Sequence, residues 1–429
     1  AKSDTNIKPL EMFDAKFLLT SYADDTTFFL KDPNSAKIIF GIFDKFSRFS
    51  GLKVNKSKCQ IAGIGVKNSV FVALPEVQSI DLSEDSIKIL GVHFTYNGEI
   101  FIEKNFCEVV DKMENTLATW RWRNLSLIGR IAIFNSLAFS KIVFVSYLTA
   151  VPDKIIDRIE KIQENFIWGG KKPMVKYLTM VADHVDGGLM MLHIRSKFIS
   201  LKLAWVKRLN DENHHPWKTI PKNFFKPLDI FFPNTKPEIH RKVPLFYRQL
   251  LNCWLEIGQN PITAETILSQ LVWNNVYIKI DNLVIKRFID QNIFVKDFFS
   301  SGKIIPWASF KRKFNLTNSH YYKWRQLISA IPSQWKQIIA ISEINVRSPK
   351  IHLLYLTRMI PIEDVTSKIV YGMLIHKIKE KSSSEVNIQT KLNNSSIDWP
   401  SVYHLAWYTT IDSYSRAFQF KCLHNILFL

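Results

Sequence analysis

Two adjacent aspartates lie between two short runs of strand-forming residues near the start of the chain. The runs are residues 17–22 and 26–30, and Asp24 and Asp25 fall in the break between them. Aromatic and β-branched residues on both sides of a short break predict an antiparallel hairpin. A β-hairpin that carries two carboxylates at its tip is therefore the first element that the sequence requires.

A helix is predicted immediately after this hairpin. Asp32 is a suitable cap, Pro33 a suitable first residue, and Gly51 a suitable end. Between them the apolar residues repeat at helical spacing: Ile38, Ile39, Ile42, Phe43 and Phe46. The hairpin and a packed helix should form one local unit.

Strand signals continue as far as residue 100 and then fade. Residues 51–59 read as a loop that enters a strand, and residues 87–95 alternate around Leu90 and Gly91. Asn97-Gly98 predicts a further hairpin turn. From about residue 103 apolar residues recur at helical spacing: Val109, Val110, Met113, Leu117, Trp120, Ile155, Ile156, Ile159, Ile162 and Phe166.

The later part of the chain combines helical patterns with polar breaks. Residues 125–152 are apolar but contain Arg130 and Lys141, so they predict a buried helix and no membrane span. Residues 194–209 predict a basic amphipathic helix. Residues 211–245 predict a long irregular connection, and the serine and asparagine clusters around 382–396 predict a polar linker.

The composition favours an anionic partner inside the cell. Lys and Arg number 57 against 38 Asp and Glu, which gives a net charge of +19. This excess favours nucleic acid through phosphate neutralisation, although a basic chain can also be merely soluble. The four cysteines have no close spacing, which argues against a disulfide framework or zinc knuckle and fits a reducing compartment, nucleus or cytoplasm.

The paired carboxylates suit the chemistry of nucleotide polymerisation. That reaction uses two divalent metals, and Mg²⁺ prefers oxygen ligands held on a rigid element. Neighbouring residues on a strand point to opposite faces, so Asp24 is assigned as the main ligand and Asp25 as the weaker one. An ordinary solvated turn is the alternative interpretation of the same four residues, 22–25.

Three further segments follow the hairpin in a fixed order and resemble one protein family. Residues 51–58 carry a Gly-Leu-x-x-Asn-x-x-Lys pattern, residues 87–94 centre on Leu-Gly, and residues 120–130 combine Trp with a Leu-Ser-x-x-Gly-Arg run. With Tyr22-Ala23-Asp24-Asp25, this order resembles the C-terminal part of the reverse transcriptases of LINE-type (non-LTR) retrotransposons. Residues 166–170, 187–189 and 420–427 resemble the region after the thumb, with Met190 in place of a family glycine.

The resemblance implies an α+β fold. Residues 1–100 would form a partial palm with β-hairpins and a helix, residues 101–182 a helical thumb, and residues 183–429 a mostly helical region that ends before a zinc knuckle. It further implies RNA template and DNA primer as partners, Mg²⁺ as cofactor, deoxynucleotide triphosphates as the small molecules, and no membrane.

The resemblance also implies individual roles. Asp24 and Asp25 would hold the metal, and Lys58 would help to protonate the leaving pyrophosphate, with Lys56 as a substitute. Six residues would contact nucleic acid: Tyr22, Leu90, Gly91, Arg121, Arg123 and Arg130. Trp120 is expected in the thumb core.

The fingers and an earlier palm aspartate of this family are not recognisable in these 429 residues. The sequence therefore predicts a fragment of an RNA-directed DNA polymerase that is inactive by itself. A basic helical module that binds nucleic acid without catalysis is the alternative function. A helical interaction protein without nucleic acid is a third.

Overall fold

The computed structural model has the α+β architecture that the sequence predicts. It describes residues 5–13, 15–65, 77–210, 213, 215–224, 243–257, 263–289, 291–342, 352–393, 396–409 and 412–427. The chain divides into two compact units. The first comprises Ala1–Lys176, His214–Ile220 and Ser383–Leu429, and the second Tyr177–Asn213 and Pro221–Ser382. The predicted division at residues 100 and 182 into palm, thumb and post-thumb regions stays a prediction.

The first unit begins with short strand pairs. Its strands are β1 (Leu10–Met12), β2 (Ala15–Phe17), β3 (Leu19–Tyr22), β4 (Asp25–Phe28), β5 (Gln60–Ala62), β6 (Gln78–Ile80), β7 (Ile87–Ile89) and β8 (Val92–Phe94). β1–β2, β3–β4 and β7–β8 are antiparallel pairs, and β5–β6 is parallel. The predicted hairpin is thus β3–β4.

The helix predicted after the hairpin is α1 (Pro33–Ser50). The Asp32 carboxylate accepts a hydrogen bond of 3.0 Å from the backbone N–H of Ser35, and Gly51 ends the helix at φ +74°. The ring of Phe43 lies edge-on to that of Phe28 on β4, with 5.9 Å between centroids. The predicted cap, first residue and end are all confirmed, and the helix packs on the hairpin.

The turn predicted at Asn97-Gly98 is wrong. The hairpin β7–β8 turns at Leu90 and Gly91, both in the left-handed region at φ +48° and +88°. Asn97 instead caps α2 (Gly98–Ile102), where its side-chain oxygen accepts from the N–H groups of Glu99 and Ile100. An asparagine side chain satisfies the first N–H groups of a helix as readily as it supports a tight turn.

Helices and π-helical turns dominate from residue 98 to residue 168. After α2 come a π-helical turn at Glu103–Cys107, α3 (Glu108–Arg121), α4 (Leu127–Ile133), a π-helical turn at Phe134–Ala138, α5 (Ser140–Leu148) and α6 (Asp153–Trp168). Most residues of the predicted apolar repeat are buried: Val110, Met113, Leu117, Ile155, Ile156, Ile159 and Phe166. Among the described residues no single helix is long and apolar enough to cross a membrane. Leu127–Ala138 and Ser140–Leu148 meet that criterion only as a pair bent by 46°.

The second unit contains further helices and three small hairpins. In chain order the helices from residue 177 are α7 (Tyr177–Val181), α8 (Ile194–Asn210), α9 (Thr219–Phe224), α10 (Leu245–Ile257), α11 (Ala264–Leu268), α12 (Trp307–Lys313), α13 (Tyr321–Ala330), α14 (Ser333–Ile341) and α15 (Ser367–Ile378). The described strands are β9 (Lys279–Ile280), β10 (Leu283–Val284), β11 (Phe299–Ser300), β12 (Lys303–Ile304), β13 (His352–Tyr355) and β14 (Arg358–Pro361). A core around Trp273, Phe298 and Phe310 joins several of these elements.

Two residues of the second unit have environments that the sequence did not predict. On the basic helix α8, Lys202 is only 1% exposed, and its ammonium lies 4.6 Å from the centroid of the Phe246 ring. Met190, which stands in place of the family glycine, adopts φ +53°, a left-handed conformation that glycine reaches without steric cost. Gly188 is required by contact, since a Cβ there would lie 1.9 Å from the carbonyl oxygen of Ala182.

The chain returns to the first unit through three helices, α16 (Ser383–Leu392), α17 (Trp399–Tyr408) and α18 (Ser413–Leu423). The polar linker predicted around residues 382–396 is therefore wrong. Ser384 and Glu385 are buried, and the Glu385 carboxylate accepts a hydrogen bond of 3.1 Å from the Tyr403 hydroxyl. Serines favour helix starts as well as linkers, and the helix-forming residues that follow decide the outcome here. The connection predicted for 211–245 lies largely outside the described residues.

Candidate active site and nucleic-acid interface

The two aspartates of the hairpin differ in backbone position. Tyr22 pairs with Asp25 across the strands, so the turn itself consists of Ala23 and Asp24. Asp24 is in the turn, whereas Asp25 is the first residue of β4. Both side chains are exposed, and Tyr22 is 71% exposed. The two carboxylates thus belong to adjacent residues, and both are accessible to ions from solvent.

The turn is held in a conformation that costs energy. Ala23 has φ +52°, in the left-handed region that residues with a Cβ rarely adopt. Such a residue costs on the order of 1 kcal/mol, and a two-residue hairpin turn requires this conformation at its first position. The cost is compatible with a turn shaped to place Asp24.

The ligand set at this turn is small. Among the described residues, no group of three or more His, Cys, Asp or Glu side chains is arranged to hold a metal ion. Two exposed carboxylates supply hard oxygen ligands of the kind that Mg²⁺ accepts, but Mg²⁺ bound by one or two carboxylates keeps most of its waters. The hairpin fits part of a magnesium site.

Lys58 is better placed than Lys56 for contact with an anionic ligand. Both residues lie in the short 3₁₀ turn Lys56–Lys58, where Lys58 is exposed. The ammonium of Lys56 is 3.8 Å from the carboxylate of Asp44 on α1, an ion pair that partly neutralises it. The predicted choice of Lys58 over Lys56 is consistent with this arrangement.

The turn of β7–β8 presents Leu90 and Gly91 at the surface. Leu90 is 44% exposed, and a Cβ built on Gly91 would lie 3.6 Å from the Phe144 ring on α5. Its φ of +88°, rather than crowding, is what requires glycine here. The turn therefore exposes Leu90 and lies beside the Phe144 ring of the helical part of the unit.

A side chain that the sequence did not single out fastens this hairpin to the helices. The Asn105 amide oxygen accepts from the His93 N–H at 2.9 Å, and its nitrogen donates to the His93 carbonyl at 2.8 Å. Asn105 is 1% exposed and lies in the π-helical turn Glu103–Cys107. It pairs with β8 as another strand would. No sequence signal marks this role, because asparagines in helical stretches are usually surface residues.

His93 is fixed on its side chain as well as on its backbone. Its Nδ1 lies 2.9 Å from the hydroxyl of Ser86. Burial, assisted by the nearby positive charge of Lys88, lowers the pKa of the His93 imidazole below its ordinary value. A lowered pKa favours the neutral imidazole at physiological pH.

The three predicted arginines have different environments. Arg121 and Arg123 are exposed, and the guanidinium of Arg123 lies 4.7 Å from the ring centroid of Trp120, which is half-buried rather than fully in the core. Arg130 donates from Nη1 to the carbonyl oxygens of Phe166 and Ile167 at 3.2 and 3.4 Å. Arg130 thus stabilises the end of α6, whereas Arg121 and Arg123 face solvent.

Comparison with known proteins supports the resemblance. Residues 6–94 match the family described as reverse transcriptase (RNA-dependent DNA polymerase). The chain is 23% identical over 296 residues to the Transposon TX1 uncharacterized 149 kDa protein of Xenopus laevis, an alignment that covers 65% of this chain and 22% of that protein. It is 25% identical over 122 residues to a putative ribonuclease H protein of Arabidopsis thaliana, with 27% of this chain and 19% of that protein covered.

Residues 6–94 are thus similar to a reverse transcriptase, and a longer part of the chain is similar to a transposon protein. The reverse transcriptase match includes the hairpin aspartates, Lys58 and the Leu90-Gly91 turn, whereas the arginines of residues 121–130 lie beyond it. The chain spans about a fifth of the length of each relative.

One helical stretch of the chain carries no acidic side chain. Between Asn115 and Pro152 the chain contains no Asp or Glu, while Arg121, Arg123, Arg130 and Lys141 fall within that stretch. A long segment without carboxylates does not repel phosphates. The predicted contacts to nucleic acid have a suitable surrounding charge, although the roles of the individual arginines stay predictions.

Proposed function

We propose that the chain supplies the end of the palm and the thumb of an RNA-directed DNA polymerase, with Asp24 and Asp25 as ligands for Mg²⁺. The observation that carries this proposal is the strained, exposed turn at Ala23, which presents both carboxylates inside the segment that matches reverse transcriptases. A two-residue turn between β3 and β4 requires a left-handed residue at its first position, and with Ala23 in that position Asp24 lies at the tip of the hairpin.

The proposed mechanism assigns the metal chemistry to the hairpin. When bound, Mg²⁺ activates the primer hydroxyl and stabilises the negative charge of the triphosphate. Asp24, fixed in the turn, is the main oxygen ligand, and Asp25, one residue further on β4, is the second. The exposed Lys58 ammonium stabilises the negative charge of the departing pyrophosphate and donates a proton to it.

The same proposal assigns the positioning of nucleic acid to the other elements. The Leu90-Gly91 turn contacts the backbone at the primer end, and Asn105 keeps that turn in place through its two hydrogen bonds with His93. Tyr22 contacts the primer end beside the aspartates. Arg121 and Arg123 contact phosphates of the template and primer, whereas Arg130 acts mainly on α6.

We further propose that this chain alone does not polymerise. Two carboxylates hold Mg²⁺ weakly, because several must replace water before binding becomes tight. Primer extension on an RNA template, with the purified chain and its Asp24→Asn variant, tests this. Robust extension by the chain that disappears in the variant would contradict the proposed inactivity while supporting the metal site.

The metal site can be tested without polymerase activity. Mn²⁺, as a substitute for Mg²⁺, is titrated into the chain and free ion is followed by electron paramagnetic resonance. We expect Asp24→Asn to weaken the site most and Asp25→Asn less. The exposed Glu84, replaced by Gln, is the matched charge control and should change nothing. Equal Mn²⁺ binding by all variants would remove the proposed site.

The second candidate function is binding of nucleic acid without catalysis. It is favoured by the net charge of +19 and by the carboxylate-free stretch 115–152. Affinity for RNA and DNA measured over a range of salt concentrations should fall steeply with salt. A flat dependence would exclude both nucleic-acid functions and favour a helical interaction protein. Deletion of residues 103–182 should weaken binding more than Asp24→Asn.

We place the protein in the nucleus or cytoplasm. The support is that Cys59, Cys107, Cys253 and Cys422 are all free thiols. A reducing compartment preserves such thiols. Imaging of the tagged chain in cells is the direct test.

A further inference from the structure

We propose that the connection between α3 and α4, together with α18, forms a binding surface for an unpaired RNA strand. We call this the aromatic surface and define it by Trp122, Tyr414, Phe418, Arg121 and Arg123. Residues 120–130 and 413–423 are far apart in sequence but belong to the same compact unit. The choice of RNA rests on the proposed function, in which the template is the unpaired strand.

Two side-chain contacts join α18 to the α3–α4 connection. The Ser126 hydroxyl donates to the Ser413 hydroxyl oxygen over 3.0 Å. The Tyr414 hydroxyl donates to the carbonyl oxygen of Asn124. The first turn of α18 is therefore fixed beside the connection that carries Trp122.

The aromatic side chains at this surface are exposed. Trp122 is 94% exposed, Phe418 57% and Tyr414 51%. Tyr414, Phe418 and Lys421 are spaced by four and three residues and so lie on one face of α18. Flat exposed rings next to cations are what binds the bases of single strands, because every base has a face on which an aromatic ring can stack.

The charge around these rings complements a polyanion. Arg121 and Arg123 flank Trp122 directly, and residues 115–152 contain no carboxylate. From Trp399 to Leu429 Asp412 is the one acidic residue, and its side chain accepts hydrogen bonds from Ser415 and the N–H of Tyr414 as the cap of α18. The surface is thus aromatic and cationic with little opposing charge.

Duplex RNA should bind the aromatic surface more weakly than an unpaired strand. In paired RNA the bases are stacked on one another, so exposed rings have no free base faces to contact. An unpaired strand offers both phosphates for the arginines and bases for the rings. Binding should therefore prefer single-stranded RNA over a duplex of the same sequence.

The test uses the full 429-residue chain and fluorescence anisotropy with an unstructured 20-nucleotide RNA, the same sequence as DNA, and the RNA duplex. We expect Trp122→Ala to weaken binding of single-stranded RNA by at least about fivefold and to change duplex binding little. Trp122→Phe should retain most of the affinity, and Phe418→Ala should lose less than Trp122→Ala. Circular dichroism verifies that each variant folds. Because Trp122 is exposed, its replacement should not disturb folding.

Phe49 on α1 is the matched control, because it is 92% exposed in the same unit and Phe49→Ala removes an aromatic ring without touching the surface. Unchanged RNA affinity in Trp122→Ala, an equal loss on the duplex, or an equal loss in Phe49→Ala would overturn the proposal. So would tighter, Trp122-dependent binding of DNA than of RNA, or a Trp122-dependent dimer in sedimentation velocity. If the Mn²⁺ titration shows no site while Trp122-dependent binding of RNA persists, the proposed metal site fails and this surface stands.

Discussion

The hairpin that carries the aspartates is exposed to solvent, whereas the helices that follow it pack around a buried apolar core. In β3–β4 the acidic side chains are exposed, each strand has four residues, and the turn contains a left-handed alanine. In the helical stretch from Glu103 to Trp168 most of the apolar repeat is buried, and Phe106, Met113 and Phe134 are at 0% exposure. The hairpin is short and exposed, whereas the helices supply buried apolar packing.

The comparison predicts that changes in the helical core reduce stability most. Phe134→Ala should lower the free energy of unfolding by about 3–5 kcal/mol, because it removes a fully buried ring and leaves a cavity. Phe49→Ala, on an exposed face of α1, should change it by less than about 0.5 kcal/mol. Urea unfolding of both variants measures the two free-energy changes. Similar losses of stability in both would contradict the predicted difference between core and surface.

The link between hairpin and helices should have the next largest effect. Asn105→Ala leaves the N–H and carbonyl of His93 without their partner and should cost about 2–3 kcal/mol. Hydrogen exchange of the His93 amide should accelerate at the same time. Asn115→Ala, at an exposed position of α3, is the matched control. Slow exchange at His93 in Asn105→Ala would show that the strand does not depend on this side chain.

The pH dependence of stability should report on one buried basic side chain. Burial lowers the pKa of Lys202 on α8 to about 7, so between pH 7 and the unfolded value near 10.5 the unfolded chain binds more protons than the folded one. Stability of the second unit should therefore rise with pH, by about 2 kcal/mol from pH 7 to pH 9. In Lys202→Met this rise should disappear. A rise that persists in Lys202→Met would assign it to another group.

The sequence predicted the local elements better than the contacts between them. Asp32, Pro33 and Gly51 each act within one turn of helix, so their roles are readable from neighbouring residues. Asn105 acts on His93 across twelve positions, and Ser413 acts on Ser126 across 287 positions. Nothing in the local pattern encodes such pairs. Asn97 failed for a different reason, since the same side chain serves a turn and a helix start.

In the candidate site, too, the residues that were predictable are those whose role depends on nearby sequence. The adjacent aspartates and Lys58 are recognisable because their chemistry depends on residue type and short spacing. The exposure of Trp122 was not predictable, because a tryptophan in a helical repeat is usually buried and its position past the end of α3 depends on where that helix stops. The burial of Lys202 was not predictable for the converse reason, since a basic residue on an amphipathic helix is usually solvated.

The smallest predicted effect tests the strain at the turn itself. Ala23→Gly should raise the free energy of unfolding by up to about 1 kcal/mol, because glycine adopts φ +52° without the steric cost that a Cβ adds. Ala118→Gly, at an exposed position in the last turn of α3, should lower it by up to about 1 kcal/mol. Opposite signs for the same substitution would show that the hairpin stores strain where the helix does not. A loss of stability in both would mean that the turn is relaxed, and the argument that Ala23 is held in place to present Asp24 would fail.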